Sequence, residues 1–221
     1  MTTELASHAR FASYRIDSVV VPNGIDLDRI TPLAPNSDER PRLALLGHPH
    51  SPWHGTDKLL DLAHRHPDWD IEVIGPVEAD LGAPPPPNLR LHPELAEADY
   101  LPLLAKVDVG IGSLAMHRIG ATENPALKVR EYLARGLAVL TGCRDPDFPA
   151  STTFLLELPN VEANLRENDD AVTDFVHEWH GRRVDRTSVE HLDLRRKETQ
   201  RLEFIHRVAA ASGKRREKMV T

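Results

Sequence analysis

The segment Glu123–Gly136 (ENPALKVREYLARG) combines residue types that can bind an anion at the start of a helix. Pro125 suits the first position of a helix and Asn124 is a good N-cap, so a helix is predicted from Pro125 to Arg135. The free N–H groups of its first turn carry partial positive charge, to which Lys128 adds a full charge. A cation in the first turn is unfavourable for the helix itself, which indicates that an anion is held there.

Two carboxylates bracket this turn, Glu123 just before it and Glu131 eight residues further along the chain. Carboxylates in front of a phosphate would repel it, so their natural partners are hydroxyl groups that donate hydrogen bonds. An anion site flanked by two such acceptors meets the requirement of a nucleoside-diphosphate sugar, with one acid facing the sugar and the other the ribose. The segment also fits an ordinary capped helix with a solvent-facing charged surface, because two glutamates often fall eight apart.

Short apolar runs that alternate with helical patterns predict an α/β fold, a parallel sheet with helices on both faces. The predicted strands are Ser18–Val21, Arg42–Leu46, Asp70–Ile74, Asn88–His92, Asp108–Leu114, Leu137–Thr141 and an edge strand at Phe154–Leu158. The other predicted helices are Thr56–His66, Glu97–Lys106, Asp169–His180 and Val189–Ala211. Ligands of such sheets bind beyond the carboxyl ends of the strands, which places the loops Gly47–Gly55 and Ala115–Asn124 at the site.

The segment at 123–136 resembles the glutamate–seven–glutamate signature of retaining GT-B glycosyltransferases (group 1, family 4), in the form E-x-P-x-K-x-x-E-Y-x-A-x-G. Three further segments match that family in the same order: Val20–Asp26 (VVPNGID), Trp53–Leu60 (WHGTDKLL) and the strand end Val73–Pro76. The resemblance covers about residues 18–145. It implies a Rossmann-like nucleotide-sugar-binding domain with closing C-terminal helices over 18–211, the C-terminal half of a GT-B fold. Residues 1–17 are then an N-terminal segment or the remnant of a missing domain, and residues 212–221 are a basic flexible tail.

The resemblance also implies roles for single residues. Glu123 is expected to contact the donor sugar and Glu131 the ribose, while the amides of Ala126 and Leu127 hold the phosphates. Gly47 is expected to let the backbone approach the pyrophosphate, with residues just after Val73–Gly75 near the base. The predicted site has two catalytic residues, Glu123 and Lys128, and a donor-binding set: Gly47, His48, His54, Gly75, Asn124, Ala126, Leu127 and Glu131.

The chain departs from the family in its first glycine loop. The family usually places Arg and Lys there to neutralise the diphosphate, and this chain has His48 and His54, which are largely neutral at pH 7. The phosphate charge is then expected to rest on Lys128 and the helix dipole. Pro125 also removes one amide that many members supply.

The implied function is transfer of a sugar from a UDP- or GDP-sugar to an unknown acceptor with retention, without a metal or cofactor. A GT-B enzyme has two Rossmann-like domains, and the opening motif of the second begins near residue 18. The acceptor domain is therefore expected to be missing, so that activity needs a separate N-terminal-type domain or a homo-oligomer. Two alternatives remain: a non-catalytic nucleotide-sugar-binding or regulatory module, and a fragment similar to nucleotide-sugar 2-epimerases, which share this architecture.

Composition excludes several other classes. The net charge of −7 and the lack of a basic patch argue against nucleic acid as a partner. One cysteine, Cys143, fits a reducing cytosol. No apolar run approaches the ~20 residues of a transmembrane helix, so a cytoplasmic protein with at most peripheral membrane contact is expected. Three Asp-x-Asp matches, beginning at Asp26, Asp68 and Asp145, are attributed to chance, and no metal site is predicted.

Overall fold

Six parallel strands form one sheet in the computed structural model of the chain, which describes residues 17–220 and the side chains up to residue 210. In chain order the strands are β1 (Arg42–Leu46), β2 (Asp70–Ile74), β3 (Leu89–His92), β4 (Val109–Ile111), β5 (Ala138–Thr141) and β6 (Leu155–Glu157). Their order across the sheet is β3-β2-β1-β4-β5-β6, and every neighbouring pair is parallel. The predicted parallel α/β sheet is confirmed.

The central strands are apolar along most of their length because both of their faces are covered. All five residues of β2 and all four of β5 are buried. Leu43 of β1 pairs with Ile71 on one side and with Val109 on the other, at the centre of the core. The strand order reverses between β1 and β4, and such a reversal opens a crevice beyond the carboxyl ends of the two strands.

Seven α-helices connect and cover the strands within the described residues. They are α1 (Lys58–Arg65), α2 (Glu78–Leu81), α3 (Glu97–Leu104), α4 (Leu127–Ala134), α5 (Asn164–Glu167), α6 (Asp169–Trp179) and α7 (Leu194–Val220). Short 3-10 helices occur at Leu27–Arg29, Pro52–His54, Met116–Ile119 and Arg186–Leu192. Within the described part of the chain, none of the helices combines the length and the apolar character that crossing a membrane requires.

The predicted first strand, Ser18–Val21, is wrong. These residues are outside the sheet, and from residue 17 onward the first backbone bridge is at Ile25, which pairs with Asp193 just before α7. The amide of Ile25 donates to the carbonyl of Leu192, and the amide of Leu194 donates to Ile25. The segment therefore packs on the C-terminal part of the chain, which a local apolar run cannot reveal. The predicted segment at 1–17 lies, except for Asp17, outside the described residues.

The last helix also differs from its prediction at 189–211. Val189 lies in the 3-10 helix Arg186–Leu192, and the α-helix begins at Leu194. Asp193 caps this helix, because its carboxylate accepts a hydrogen bond from the amide of Arg195 at 2.9 Å. The helix continues to Val220, so most of the predicted flexible tail at 212–221 is helical backbone. On this helix the apolar side chains of Leu202 and Ile205 are more than half exposed.

Candidate functional site

A cavity of about 880 Å³ lies beyond the carboxyl ends of β1, β2 and β4, at the reversal of the strand order. The loops after these strands, the start of α4 and one side chain of α3 form its walls. Nine of the ten predicted site residues line it, namely Gly47, His48, His54, Gly75, Asn124, Ala126, Leu127, Lys128 and Glu131. Residues far apart in the sequence therefore meet in one place, as the topology predicts.

Helix α4 is attached to the end of β1 through both backbone groups of one residue, Leu46. The amide of Leu46 donates to the hydroxyl oxygen of Tyr132 at 2.6 Å, and its carbonyl accepts from Lys128 Nζ at 2.9 Å. Tyr132 is fully buried, and its ring lies against Gly110 of β4, where a Cβ atom would come within 2.3 Å of the ring. These contacts fix the first turn of α4 above the loop that follows β1.

The predicted start of this helix is wrong by two residues. The helix begins at Leu127, and Ala126 is the N-cap, with extended backbone and no side-chain cap. The side chain of Asn124 instead donates to Ser113 Oγ at 3.1 Å and to the Met116 sulfur. Pro125 disfavours helical backbone at Asn124, and two tertiary contacts hold the segment extended. Asn124 donates its amide to the Arg144 carbonyl, and Asn23 Nδ2 donates to the Pro125 carbonyl.

The first turn of α4 leaves two amides open. The amide of Ala126 donates to the Asn124 carbonyl at 2.9 Å, and its role as a phosphate donor stays a prediction. The amides of Leu127 and Lys128 have no protein acceptor among the described residues. Both residues line the cavity, so the helix start offers two backbone donors at this wall.

Lys128 is a cation that no acid neutralises in the described part of the chain. Its Nζ atom donates to the Leu46 carbonyl and, at 3.0 Å, to Nδ1 of His54. Burial lowers the pKa of Lys128 from 10.5 to about 7, so the ammonium and neutral forms are both present near neutral pH. An anion in the cavity would favour the ammonium form.

His54 supplies a buried donor without a partner. Burial first, and the charges of Lys128 and His48 next, lower the pKa of His54 to about 3, which makes the imidazole neutral at pH 7. Its Nδ1 accepts from Lys128, so the proton lies on Nε2. Nε2 is buried and has no hydrogen-bond partner among the described residues, although His54 lines the cavity. An unsatisfied buried N–H costs free energy, which a ligand acceptor would recover.

The carboxylate of Glu131 lines the cavity next to this positive region. Its Oε1 atom accepts from the Tyr100 hydroxyl at 2.9 Å and from Arg135 Nε at 3.0 Å. Burial and the adjacent Glu131 charge raise the pKa of Tyr100, so the phenol keeps its proton and remains a donor. These two contacts fix the carboxylate, and Oε2 makes no hydrogen bond to the described residues.

Glu123 lies outside the cavity walls, and His48 lies at the cavity rim. Glu123 is buried outside the cavity walls, where its backbone forms a bridge with Arg144 and its carboxylate lies 3.9 Å from the Arg144 guanidinium. His48 is an exposed residue of the cavity rim, and its Nδ1 lies 2.8 Å from Oε1 of Glu94. The arrangement thus places His54, rather than His48, against Lys128.

Two glycines hold the loops after β1 and β2 in contact. Gly75 has a φ of 99°, and a Cβ atom there would lie 2.1 Å from the Gly47 carbonyl oxygen. A Cβ atom on Gly47 would meet the His54 ring at 2.9 Å and Pro76 at 3.1 Å. Gly47 thus lies close to the ring of His54 and lines the cavity, and its close approach to a pyrophosphate stays a prediction.

The change Gly75→Ala is expected to lower the free energy of unfolding by about 1–3 kcal/mol more than Gly82→Ala, because only the former forces a collision with backbone. Gly82 is the matched control, since its φ of 81° is similarly unfavourable for alanine but its surroundings within 4 Å are empty. Chemical denaturation of the two variants measures the difference. Equal losses would show that backbone conformation alone, and not the contact with Gly47, requires glycine at position 75.

A buried ionic network anchors the other side of α4. Arg130 is fully buried, and its guanidinium donates to both oxygens of Asp145, at 2.5 and 2.9 Å, and to Asp147 at 2.9 Å. Its Nε donates to the Asn23 carbonyl at 2.8 Å, and Lys197 of α7 pairs with Asp147 at 2.5 Å. The network joins α4 to the segment before β1, to the loop after β5 and to α7.

The same network accounts for one of the three Asp-x-Asp matches. Asp145 and Asp147 are nearly buried and have cationic side chains as partners. In the portion of the chain that the structure describes, no group of three or more His, Cys, Asp or Glu side chains could hold a metal ion.

Several cavity residues were not predicted from the sequence: Asn23, Trp53, Glu94, Leu95, Tyr100 and Ser113. Asn23 belongs to the PNG segment, which was recognised as a motif but not as part of the site. Tyr100 falls within a predicted helix whose orientation the sequence does not specify. Glu94 and Leu95 follow β3, whose position in the sheet determines that they reach the cavity.

No protein-family model matches the chain, and no curated protein matches its sequence. Solved structures do match its fold. Sucrose-phosphate synthase from Thermosynechococcus elongatus has a TM-score of 0.65 at 14% identity, over 94% of this chain and 57% of that chain. The lipopolysaccharide outer core galactosyltransferase WaaB, in its apo form, has a TM-score of 0.57 at 11% identity, over 85% and 56%. A glycosyltransferase from Rickettsia africae has a TM-score of 0.56 at 15% identity, over 91% and 59%.

The fold is therefore the Rossmann-like α/β fold of GT-B glycosyltransferases, as predicted. The chain spans a little over half the length of each of these three structures.

Proposed function

We propose that the chain binds a nucleoside-diphosphate sugar and forms the donor-binding part of a glycosyltransferase that acts with retention. One observation carries this proposal: Lys128, the open amides at the start of α4, and the carboxylate of Glu131 line the same cavity. The cation and the amides suit a diphosphate, and the fixed carboxylate suits a sugar or ribose hydroxyl.

The proposed chemistry is mostly positioning and stabilisation of the leaving group. When the bond between the sugar and the diphosphate breaks, negative charge develops on the diphosphate oxygens. Lys128 and the amides of Leu127 and Lys128 would stabilise this charge, and His54 Nε2 would supply one further donor. No metal ion or cofactor forms part of the proposal.

Binding is tested by titrating the full chain with UDP and with GDP in a calorimeter, with uridine and guanosine as ligands that lack the diphosphate. Saturable binding of at least one diphosphate, and its loss with the nucleosides, is expected. If neither diphosphate binds, the proposal is wrong.

A second candidate is a non-catalytic nucleotide-sugar-binding or regulatory module. The groups described in the cavity favour it, because Lys128, the open amides and Glu131 suit binding of the donor, and binding alone requires nothing further. Donor consumption by the purified chain, alone and with a co-expressed partner domain, distinguishes the two. Turnover in either sample supports the transferase, and binding without turnover in both supports the module.

The affinity for UDP or GDP is expected to fall as the pH rises from about 7.5 to about 8.5, by up to tenfold per pH unit. The pKa of Lys128 in the free chain is about 7, so this residue loses its charge above neutral pH, and an anion must restore the proton on binding. The diphosphate is already fully ionised in this range, so its own charge stays constant. Calorimetry in two buffers of different ionisation enthalpy measures the proton uptake, which should approach one proton per bound nucleotide at the upper end of this pH range.

The free energy of unfolding of the unliganded chain should change with pH in the opposite direction to the affinity. A lysine whose pKa is about 7 in the folded state and about 10.5 in the unfolded state binds fewer protons when folded. Its contribution therefore makes the free energy of unfolding rise with pH between about 7 and about 10.5. In the variant Lys128→Met both pH responses should disappear, and an affinity that does not change with pH in the unsubstituted chain would contradict the prediction.

A further inference from the structure

Lys128 and Glu94 line the same cavity and carry opposite charge when both are ionised. Lys128 and His54 lie beside the end of β1. Glu94 follows the end of β3, and its side chain reaches over the loops after β1 and β2: its Oε1 atom lies 2.8 Å from His48 Nδ1, and its Cγ atom lies 3.7 Å from the position of a Cβ atom on Gly75. A ligand that places its phosphates on Lys128 and extends toward the loops after β2 and β3 therefore meets the Glu94 carboxylate.

The carboxylate of Glu94 is held in place but is not saturated. His48 Nδ1 lies 2.8 Å from its Oε1 atom, and the Glu94 side chain is 59% exposed. A carboxylate has two oxygens with about four acceptor positions, so one hydrogen bond leaves both oxygens able to accept more. Glu94 can thus receive two parallel N–H groups from one ligand.

The nucleotide bases differ in what they can offer to a carboxylate. Guanine has two adjacent donors on one edge, the ring N1–H and the 2-amino group, which match the two carboxylate oxygens. Uracil has one N–H between two carbonyl oxygens, which a carboxylate repels. Adenine has an amino group next to a ring nitrogen that is itself an acceptor.

We propose that the cavity selects a guanosine diphosphate, with Glu94 accepting the N1–H and 2-amino groups of guanine. This inference rests on the proposed function, since it assumes that the phosphates bind at Lys128. A bidentate pair of this kind discriminates between bases by about tenfold or more. Glu94 is therefore a specificity-determining residue, and His48 is the side chain that orients it.

The test is a calorimetric titration of the full chain with GDP, UDP, ADP and IDP, whose hypoxanthine base lacks the 2-amino group. GDP should bind at least tenfold more tightly than UDP or ADP, and IDP should bind more weakly than GDP. The variant Glu94→Gln, which keeps the size but replaces one acceptor by a donor, should lower the affinity for GDP at least tenfold and change that for UDP less than twofold.

The control variant is Glu78→Gln, an exposed glutamate of α2 outside the cavity walls, which should leave all four affinities unchanged. Equal affinities for GDP and UDP, a preference for UDP or ADP, or an unchanged GDP affinity in Glu94→Gln would each overturn the inference while leaving the proposed function intact. If none of the diphosphates binds, the proposed function fails and this inference fails with it.

Discussion

Replacing Lys128 by methionine is expected to lower the affinity of the chain for nucleoside diphosphates by about ten- to a hundredfold. A hydrogen bond to a charged group contributes about 1.5–3 kcal/mol, and each 1.4 kcal/mol is a factor of ten in affinity. Lys128 is positioned by the Leu46 carbonyl and by His54, and no ion pair with it occurs in the described part of the chain. Methionine keeps the length of the aliphatic chain and removes only the charge and the donors.

The matched control is Lys106→Met, which removes an exposed lysine just after α3 that does not line the cavity. It changes the net charge by the same amount, so it corrects for any long-range electrostatic effect. Thermal unfolding of both variants shows that they remain folded. An affinity of Lys128→Met equal to that of the control would remove Lys128 from the diphosphate site and, with it, the main support for the proposed function.

The strands are the part of the fold that could be predicted most closely from the sequence. The predicted bounds of β1 and β2, Arg42–Leu46 and Asp70–Ile74, agree with the structure to the residue. Both strands are covered on two faces, so burial imposes an unbroken apolar character on most of their positions, and the adjacent loops interrupt it. Ser18–Val21 has the same character and is no strand, because the chain there packs beside the start of α7.

The start of α4 shows how tertiary contacts override a local rule. Asn-Pro before a helical pattern favours a cap at Asn124, yet the helix begins at Leu127. The contacts that hold Asn124 and Pro125 extended come from Arg144 and Asn23, which are distant in the sequence. A cap preference of about 1 kcal/mol is smaller than the combined contribution of two such hydrogen bonds, each of about 0.5–1.5 kcal/mol, together with the extended backbone that Pro125 favours at Asn124.

In the candidate site, too, some residues could be predicted from the sequence and others could not. Residues of one continuous motif, from Asn124 to Glu131, could be predicted because the spacing along a helix start fixes which of them share a wall. Glu94 and Tyr100 could not, because they reach the cavity only through the position of β3 next to β2. Local patterns predict that a strand exists, but they do not specify its neighbours.

Replacing Arg130 by alanine is expected to lower the free energy of unfolding by about 3–5 kcal/mol, because it leaves partners of a buried ion pair without compensation. Asp145 would lose both of its guanidinium contacts, and Asp147 would keep only Lys197. The control is Arg166→Ala, which removes an arginine whose side chain is 71% exposed and whose partner is Asp61. Denaturation with guanidinium chloride should show a loss below about 1 kcal/mol for the control.

A second substitution should restore part of the stability that Arg130→Ala loses, but not the affinity for GDP. Adding Asp145→Asn to the Arg130→Ala variant removes the unpaired buried charge, so it should restore part of the lost stability, although the same change alone should destabilise the chain.

Arg130 Nε donates to the Asn23 carbonyl, and the side-chain amide of Asn23 donates to the Pro125 carbonyl ahead of α4, so the rescued double variant still lacks the contact that holds the helix start. Its affinity for GDP should therefore remain below that of Arg166→Ala even where both proteins are fully folded. Equal affinities would mean that Arg130 stabilises the fold without positioning the site.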